Sequence, residues 1–224
     1  MKHFRTLFQL VAATLAALLL FQASVYAAVL NAKNYKEHSE DMGVVLLDVN
    51  WGRYWGCGQY ENAQLINLKF ELFPDNNKTP DKFSVIDLKT PSRLMVDPVF
   101  LNYGFLVNPG HYALTGASVK VANSNPIRVG YFKGNKNNFI KDDKAEGGTF
   151  TVGKGEVVYI GNFFLDCTEN PPIPWRYYSE GQENFKKQVA EYKRKYKFLK
   201  DKDVIYRLFR TEHFGLDYEL PPDK

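Results

Sequence analysis

The stretch that decides the fold is GEVVYIGNFFLDC, residues 155–167, because apolar side chains occupy both of its alternating faces. One face carries Val157, Tyr159, Phe163 and Leu165, and the other carries Val158, Ile160 and Phe164. A strand that is apolar on both faces is typical of the interior of a sheet. Gly161 interrupts the run, where it indicates either a bulge or the close approach of a neighbouring side chain.

Shorter segments of the same kind recur along the chain, separated by turns rich in Gly, Pro and Asn. Residues 64–73, QLINLKFELF, alternate almost strictly and predict a half-buried strand whose inner side chains are Ile66, Leu68, Phe70 and Leu72. Further strands are predicted at 43–49, 83–88, 93–96, 103–107, 111–122, 127–132 and 149–152. Because no helical pattern separates them, the sequence predicts an antiparallel β-sandwich of about eight strands.

The composition changes after Cys167. ENPPIPW, residues 169–175, is a proline-rich connector that cannot continue a central strand. Residues 179–202 predict an amphipathic helix with one apolar stripe, formed by Phe185, Val189, Tyr192, Tyr196 and Leu199. Residues 203–214 fit a second short helix or a last strand, and residues 216–224 predict a frayed end. We therefore predict a sandwich domain over 28–168 and a connector with a helical extension over 169–224.

The N-terminus has the pattern of a secretory signal peptide over residues 1–27. Lys2 and Arg5 precede an apolar run from Leu7 to Phe21, and small residues end the segment at Ala27. The alternative is a membrane anchor, but the apolar run is shorter than the ~20 residues that a spanning helix needs. We therefore predict cleavage near Ala27, no transmembrane segment in the mature chain, and export to the periplasm or outside the cell.

The charge balance argues against a nucleic-acid-binding protein. The whole chain has 29 basic and 25 acidic residues, and removal of residues 1–27 takes away Lys2 and Arg5, which leaves 27 basic against 25 acidic residues. A nearly neutral mature chain has no electrostatic footprint for nucleic acid. We therefore expect no nucleic acid among its partners.

The two cysteines, Cys57 and Cys167, both lie in the mature part of the chain. Pairing is expected because an exported chain meets an oxidising compartment. Two buried thiols or one reactive thiol remain as alternatives.

NPGHYAL at 108–114, followed at a distance by TFTVGKGEVVYIGNFFL at 149–165, resembles exported bacterial sandwich domains of the prealbumin-like kind. Those domains share a Pro-Gly turn that leads into a strand containing Tyr, and a later strand of the form Gly-x-Val-x-Tyr-Ile-Gly. The resemblance covers residues 43–167 at most. It implies a fold and a location in the cell envelope, and it transfers no functional residue.

The segment WGRYWGCGQY, residues 51–60, is the best candidate for a contact surface. Flat aromatic rings offer a stacking platform for a sugar ring or a partner side chain, and an arginine among them adds an anionic contact. The candidate binding residues are Trp51, Arg53, Tyr54, Trp55 and Tyr60. The alternative is that these rings close the end of the sandwich and are held there by Cys57.

The predicted helix supplies a second candidate surface, because its polar faces are strongly basic. Docking on an anionic envelope component or a partner protein would use Lys186, Lys187, Lys193, Arg194, Lys195 and Lys197. The alternative is that the apolar stripe packs on the protein's own sheet and the lysines are solvated.

Signals for chemistry are sparse in this sequence. The mature histidines are far apart, and neither a metal-ligand pair nor a Gly-x-Ser-x-Gly elbow is present. We therefore predict no catalytic residue, no metal and no cofactor. The sequence favours a non-enzymatic binding or structural module, with an envelope-surface accessory protein and a hydrolase or thiol enzyme, its cysteine paired with His111, as alternatives.

Overall fold

A computed structural model describes residues 28–74, 81–91 and 99–222. The strands are β1 (Gly43–Asn50), β2 (Arg53–Cys57), β3 (Tyr60–Leu72), β4 (Val85–Lys89), β5 (Phe100–Val107), β6 (Gly110–Ser124), β7 (Ile127–Gly134), β8 (Ile140–Lys141), β9 (Lys144–Ala145), β10 (Thr149–Val152), β11 (Val157–Asp166), β12 (Ile173–Tyr177) and β13 (Ile205–Tyr206). The helices are α1 (Ala32–His38), α2 (Lys136–Phe139) and α3 (Gly181–Lys195), and a 3₁₀ turn follows at Lys197–Leu199. The predicted mainly β fold is confirmed, because 49% of the described residues are in strands and 16% are in helices.

The first sheet has the order β12-β11-β1-β5, and β13 also pairs with β11. As the run 155–167 predicts, β11 lies inside the sheet, and Val157 to Gly161 are all buried. The sheet differs from the predicted antiparallel arrangement in one respect, because β1 and β13 both pair with β11 in parallel. The long connection from β1 to β11 contains the second sheet, which makes a parallel return possible.

The second sheet has the order β10-β6-β3-β2, with β4 also paired to β3 and β7 also paired to β6. All of its pairs are antiparallel. A register shift between Leu65 and Asn67 puts Leu65 in the core and leaves Ile66 half-buried, which corrects the predicted alternation at that position. Strand β7 forms an edge beside β6.

Two apolar clusters hold these elements together. The larger cluster lies between the two sheets and contains Val45 and Phe163 of the first sheet with Leu68 and Leu114 of the second. The smaller cluster covers the opposite side of the first sheet, where Val44, Leu46 and Tyr159 meet the helix residues. The order of layers is therefore helix, first sheet, inner core, second sheet.

The apolar stripe of α3 packs on the protein's own sheet. Phe185, Tyr192, Tyr196 and Leu199 are buried in the smaller cluster, and Val189 packs against it. The helix is shorter than predicted, because it ends at Lys195 before the 3₁₀ turn.

The prediction of a frayed C-terminal end is wrong for the described residues of this segment. The ring of Tyr218 stacks on Tyr178 with the ring centroids 4.3 Å apart. The backbone N–H of Gly181 donates to the Tyr218 hydroxyl at 2.7 Å, and Leu220 packs against the smaller cluster. The predicted strand at 93–96 and the predicted signal peptide lie outside the described residues.

Candidate binding site on the second sheet

The outer face of the second sheet brings together side chains from strands β2 and β7, which are far apart in sequence. Trp55 lies opposite Asn62, Asn62 lies opposite Ala122, and Ala122 lies opposite Val129. Residues directly opposite one another in antiparallel strands project from the same face. Trp55 and Val129 therefore share one face, three strand spacings apart, or roughly 14 Å.

A second row runs parallel to the first. Arg53 lies opposite Gln64, Gln64 opposite Lys120, and Lys120 opposite Tyr131. Lys133, two residues beyond Tyr131 in β7, projects from the same face. We call the surface formed by Arg53, Trp55, Lys120, Val129, Tyr131 and Lys133 the outer aromatic face.

The large side chains of the outer aromatic face are open to solvent. The exposed fractions are 54% for Trp55, 54% for Val129 and 53% for Tyr131, and Ile127 at the end of β7 is 86% exposed. Large apolar side chains grouped on one face of a sheet indicate an interaction surface, whereas single exposed ones do not.

Each aromatic ring of this face has a cation beside it. The guanidinium carbon of Arg53 lies 5.4 Å from the centre of the Trp55 ring, and the Nζ atom of Lys133 lies 5.6 Å from the centre of the Tyr131 ring. These distances are within the range of cation–π attraction, which holds the charged groups next to the rings. In the part of the chain that the structure describes, Arg53, Lys120 and Lys133 form no ion pair.

The β4 half of the same outer face is different, because its lysines are paired with carboxylates. Lys69 of β3 pairs with Glu71, and the Nζ atom of Lys89 in β4 lies 3.4 Å from Oδ2 of Asp87. The Nζ atom of Lys136, at the start of the neighbouring α2, lies 3.6 Å from Oε2 of Glu71. The positive charge of the face is therefore concentrated around the exposed rings of β2 and β7.

One carboxylate near the start of β3, that of Glu61, already has hydrogen-bond partners within the protein. Glu61 accepts hydrogen bonds from the backbone N–H of Ser124, at 2.7 Å, and from the Ser124 hydroxyl. These hydrogen bonds lower the pKa of Glu61. Glu61 therefore fixes the β6–β7 turn and does not pair with Arg53.

The structure places only two of the five candidate binding residues of the segment 51–60 on one exposed face. Trp51 is fully buried and donates from Nε1 to the Tyr103 hydroxyl at 2.7 Å, so it belongs to the core and not to a contact surface. Tyr54 is 42% exposed but points to the other side of β2, where its ring meets Phe164 at 5.7 Å. Tyr60 is half-buried and packs edge-on to Phe132. Arg53 and Trp55 remain on the outer aromatic face.

The cysteines and the basic helix lie elsewhere. The sulfur atoms of Cys57 and Cys167 are 2.00 Å apart, so the predicted disulfide is present and neither cysteine is free. In α3, Lys187 pairs with Glu183 at 2.8 Å, and Lys195 donates to the backbone carbonyl of Asn102.

The other basic positions of the helix are distributed around its polar side. Burial lowers the pKa of Lys195, which is held against the first sheet. Lys193 is half-buried, whereas Lys186, Arg194 and Lys197 are exposed. All of them lie on the helical layer, on the opposite side of the first sheet from the outer aromatic face.

Sequence reasoning missed Val129, Tyr131 and Lys133. The alternation of apolar residues in β7 was visible, but it could not show that this apolar set faces solvent. Only the register through β3 and β6 places it beside Trp55.

In comparisons with known proteins, no protein family, no curated protein and no solved structure matches this chain. Within 28–74, 81–91 and 99–222, no group of three His, Cys, Asp or Glu side chains is arranged to hold a metal ion. Among these same residues, no helix has the length and apolar character needed to cross a membrane.

Proposed function

We propose that this chain is an exported, non-enzymatic binding protein that holds an acidic polysaccharide against the outer aromatic face of its second sheet. The observation that carries the proposal is the pairing of two exposed rings, Trp55 and Tyr131, with cations that have no carboxylate partner among the described residues. The proposal keeps Arg53 and Trp55 from the sequence prediction and adds residues of β7.

The flatness of the site supports a polymer of sugar rings. An open sheet face offers exposed rings at separated positions and does not enclose a ligand. Sugar rings present apolar C–H faces that lie against aromatic rings, and a chain of them extends along a sheet. Trp55 and Tyr131 occupy neighbouring rows at opposite edges of the face, so a polymer reaches both rings at once.

The charge of the site supports an acidic polymer. Arg53, Lys120 and Lys133 supply three cations around the rings, and they lie outside the ion-paired half of the sheet. Arginine binds carboxylate or sulfate groups through its fixed N–H geometry, and lysine adds a flexible point charge.

The proposed location and architecture rest on separate support. The apolar N-terminal run followed by small residues fits a signal peptide cleaved near Ala27, and the disulfide is stable in an oxidising compartment. Two facing sheets with an inner core support the proposed prealbumin-like sandwich, extended by a helical layer.

The test is a titration of the chain with polygalacturonate, and with neutral dextran as the matched polymer. We expect saturable binding of polygalacturonate that weakens with salt, because exposed charges are screened at high ionic strength. Trp55→Ala and Tyr131→Ala should each weaken binding about two- to tenfold. Arg53→Gln should reduce the salt dependence.

Lys89→Gln is the control, since this lysine lies on the same outer face but is already paired with Asp87. Its affinity should equal that of the wild type. Equal binding of dextran and polygalacturonate, or affinity unchanged in the Trp55→Ala, Tyr131→Ala double variant, would refute the proposal. Tighter binding of single-stranded DNA on the same residues would replace it with nucleic-acid binding.

The two alternatives from the sequence have less support. Docking through the basic helix would rest on charge alone, because the apolar stripe of α3 is buried against the first sheet. A thiol enzyme would need an available cysteine near His111, whereas Cys57 and Cys167 are bonded to each other.

A further inference from the structure

Arg176 is a buried arginine at the edge of the first sheet. It lies in β12 opposite Phe163 and is 1% exposed. Two glycines make room for it. A Cβ atom on Gly161 would come within 2.9 Å of the Arg176 Cδ atom, and one on Gly215 would come within 3.2 Å of its Nε atom.

The guanidinium group of Arg176 is incompletely satisfied. Its Nη2 atom donates to the backbone carbonyl of Leu216 at 2.6 Å. The Nε and Nη1 atoms are buried and, among the described residues, have neither a hydrogen-bond partner nor a carboxylate within ion-pair distance. Burial lowers the pKa of Arg176, but an arginine remains charged in proteins. The Tyr178 ring, 5.8 Å from the guanidinium carbon, and the nearby Asp217 favour the charge, but neither accepts a hydrogen bond from the two buried N–H groups. Buried N–H groups without acceptors are unfavourable unless a ligand compensates them.

A cleft of about 800 Å³ lies beside this arginine. Its walls come from β10, from the segment around β13, and from the C-terminal tail at Asp217–Leu220. Arg207 in this wall is neutralised by Glu156, with Nη1 to Oε2 at 2.5 Å and Nη2 to Oε1 at 3.1 Å. Arg210 also lines the cleft, is exposed, and has no ion-pair partner among the described residues.

We infer that this cleft binds a small oxyanion, a carboxylate or a phosphate, which accepts a hydrogen bond from an unpaired N–H group of Arg176, at Nε or at Nη1, and is paired on its outer side by Arg210. Thr149 lines the same cleft and its hydroxyl can donate to a remaining oxygen, whereas the hydroxyl of Tyr206 already donates to the backbone carbonyl of Ser179 at 3.1 Å. This site shares no residue with the outer aromatic face, so the experiments on the two sites test the two proposals independently.

The C-terminal tail covers Arg176. Leu216 accepts its hydrogen bond, and Tyr218 holds the tail by stacking on Tyr178. The free N–H groups lie beneath this cover, so the anion reaches them when the tail moves aside. Asp217 lines the cleft and forms no ion pair with any residue that the structure describes, and it is the internal group that would compete with a bound anion.

The test follows the Nε–H resonance of Arg176 in the ¹⁵N-labelled chain during separate titrations with inorganic phosphate and with acetate, at ionic strength matched with sodium chloride. We expect a saturable shift with one or both anions and none with chloride. The anion that binds more tightly identifies a phosphoryl or a carboxylate ligand. Asp217→Asn should raise the affinity, because it removes the competing internal carboxylate.

Arg210→Gln should weaken binding about tenfold while the Arg176 resonance still shifts, because charge-assisted contacts have about that effect. Arg176→Gln should abolish binding, and since this variant could fail to fold, the Arg210→Gln result stands on its own. Lys89→Gln is the control and should bind as the wild type does. The inference is overturned if millimolar phosphate and acetate leave the Arg176 resonance unchanged, or if chloride shifts it equally.

Discussion

The hydroxyl of Tyr192 donates a 2.5 Å hydrogen bond to Oδ1 of Asp48, which joins α3 to the central part of the first sheet. Asn102 donates to the same oxygen at 2.9 Å, and Gln188 donates to Oδ2 at 2.6 Å. Asp48 is only 2% exposed. A buried carboxylate therefore anchors the helical layer through two neutral donors of α3, Tyr192 and Gln188, while Asn102 of β5 donates to it from within the sheet.

The first prediction concerns the pH dependence of stability caused by Asp48. Burial raises the pKa of Asp48 above its ordinary 3.8, although hydrogen bonds from Tyr192, Asn102 and Gln188 oppose this shift. The folded state therefore binds more protons than the unfolded state between the two pKa values, and the free energy of unfolding falls as pH rises through that interval. Asp48→Asn should remove this fall, measured by urea unfolding from about pH 4 upward.

Asp41→Asn gives the contrasting control for Asp48. A hydrogen bond from Lys154 lowers the pKa of the exposed Asp41, so its contribution is present above the unfolded pKa and is lost as pH falls. The two variants should change the pH slope in opposite directions. Equal pH slopes in Asp48→Asn and the wild type would contradict the account of the buried carboxylate.

The second prediction concerns the disulfide between Cys57 and Cys167. The bond connects residues that are 110 positions apart in sequence, so it restricts the unfolded chain strongly. Its loss should lower the free energy of unfolding by about 4 to 5 kcal/mol. The measurement compares unfolding with and without reductant. The Cys57→Ser, Cys167→Ser variant should be as unstable as the reduced wild type and insensitive to reductant, and a stable reduced protein would refute this.

The third prediction separates two tryptophans that are four positions apart in sequence. Trp51 is fully buried, so Trp51→Ala should cost about 3 to 5 kcal/mol of stability. Trp55 is 54% exposed, so Trp55→Ala should change stability by less than about 0.5 kcal/mol. Acrylamide should quench the fluorescence of Trp55 and leave Trp51 protected, which is checked with the two single variants. Similar stability losses in both would show that Trp55 is not a surface residue.

The fourth prediction concerns Gly161 in β11. Its φ is +111°, and an added Cβ would lie 2.9 Å from the backbone oxygen of Tyr177. Gly155 has a φ of +71°, but no atom of the described residues lies within 4 Å of an added Cβ. Gly155→Ala should therefore cost only the backbone strain, roughly 1 to 2 kcal/mol. Gly161→Ala should cost at least about 1 kcal/mol more, because overpacking is added to the strain.

The sequence predicted the strands that belong to the core and the helix that covers them. The run in β11 is buried as expected, and the stripe from Phe185 to Leu199 packs on the first sheet. The periodicity of β7 was equally clear, but its apolar set faces solvent. Periodicity reveals that a strand has two different faces, and it does not reveal which of them has a neighbour.

The candidate site was predictable only in part for the same reason. Arg53 and Trp55 stood out as an aromatic and basic pair in the sequence, whereas Trp51 was included although it is a core residue. Tyr131 and Lys133 belong to the site only because the register of β7 with β6 places them on the same face as Trp55. Arg176 gave no signal in the sequence, because its lack of hydrogen-bond partners depends on Gly161, Gly215 and the C-terminal tail.

The sequence by itself determined the local properties of this protein: its mainly β character, the apolar stripe of its helix and the availability of two cysteines for one bond. These properties follow from side-chain periodicity and covalent chemistry, which need no distant partner. The tertiary structure alone decided the parallel pairing of β1 with β11, the burial of Trp51 and Arg176, and the meeting of Trp55 with β7. Such features depend on contacts between residues that are far apart in sequence, and they are fixed only when the sheets and the C-terminal tail pack together.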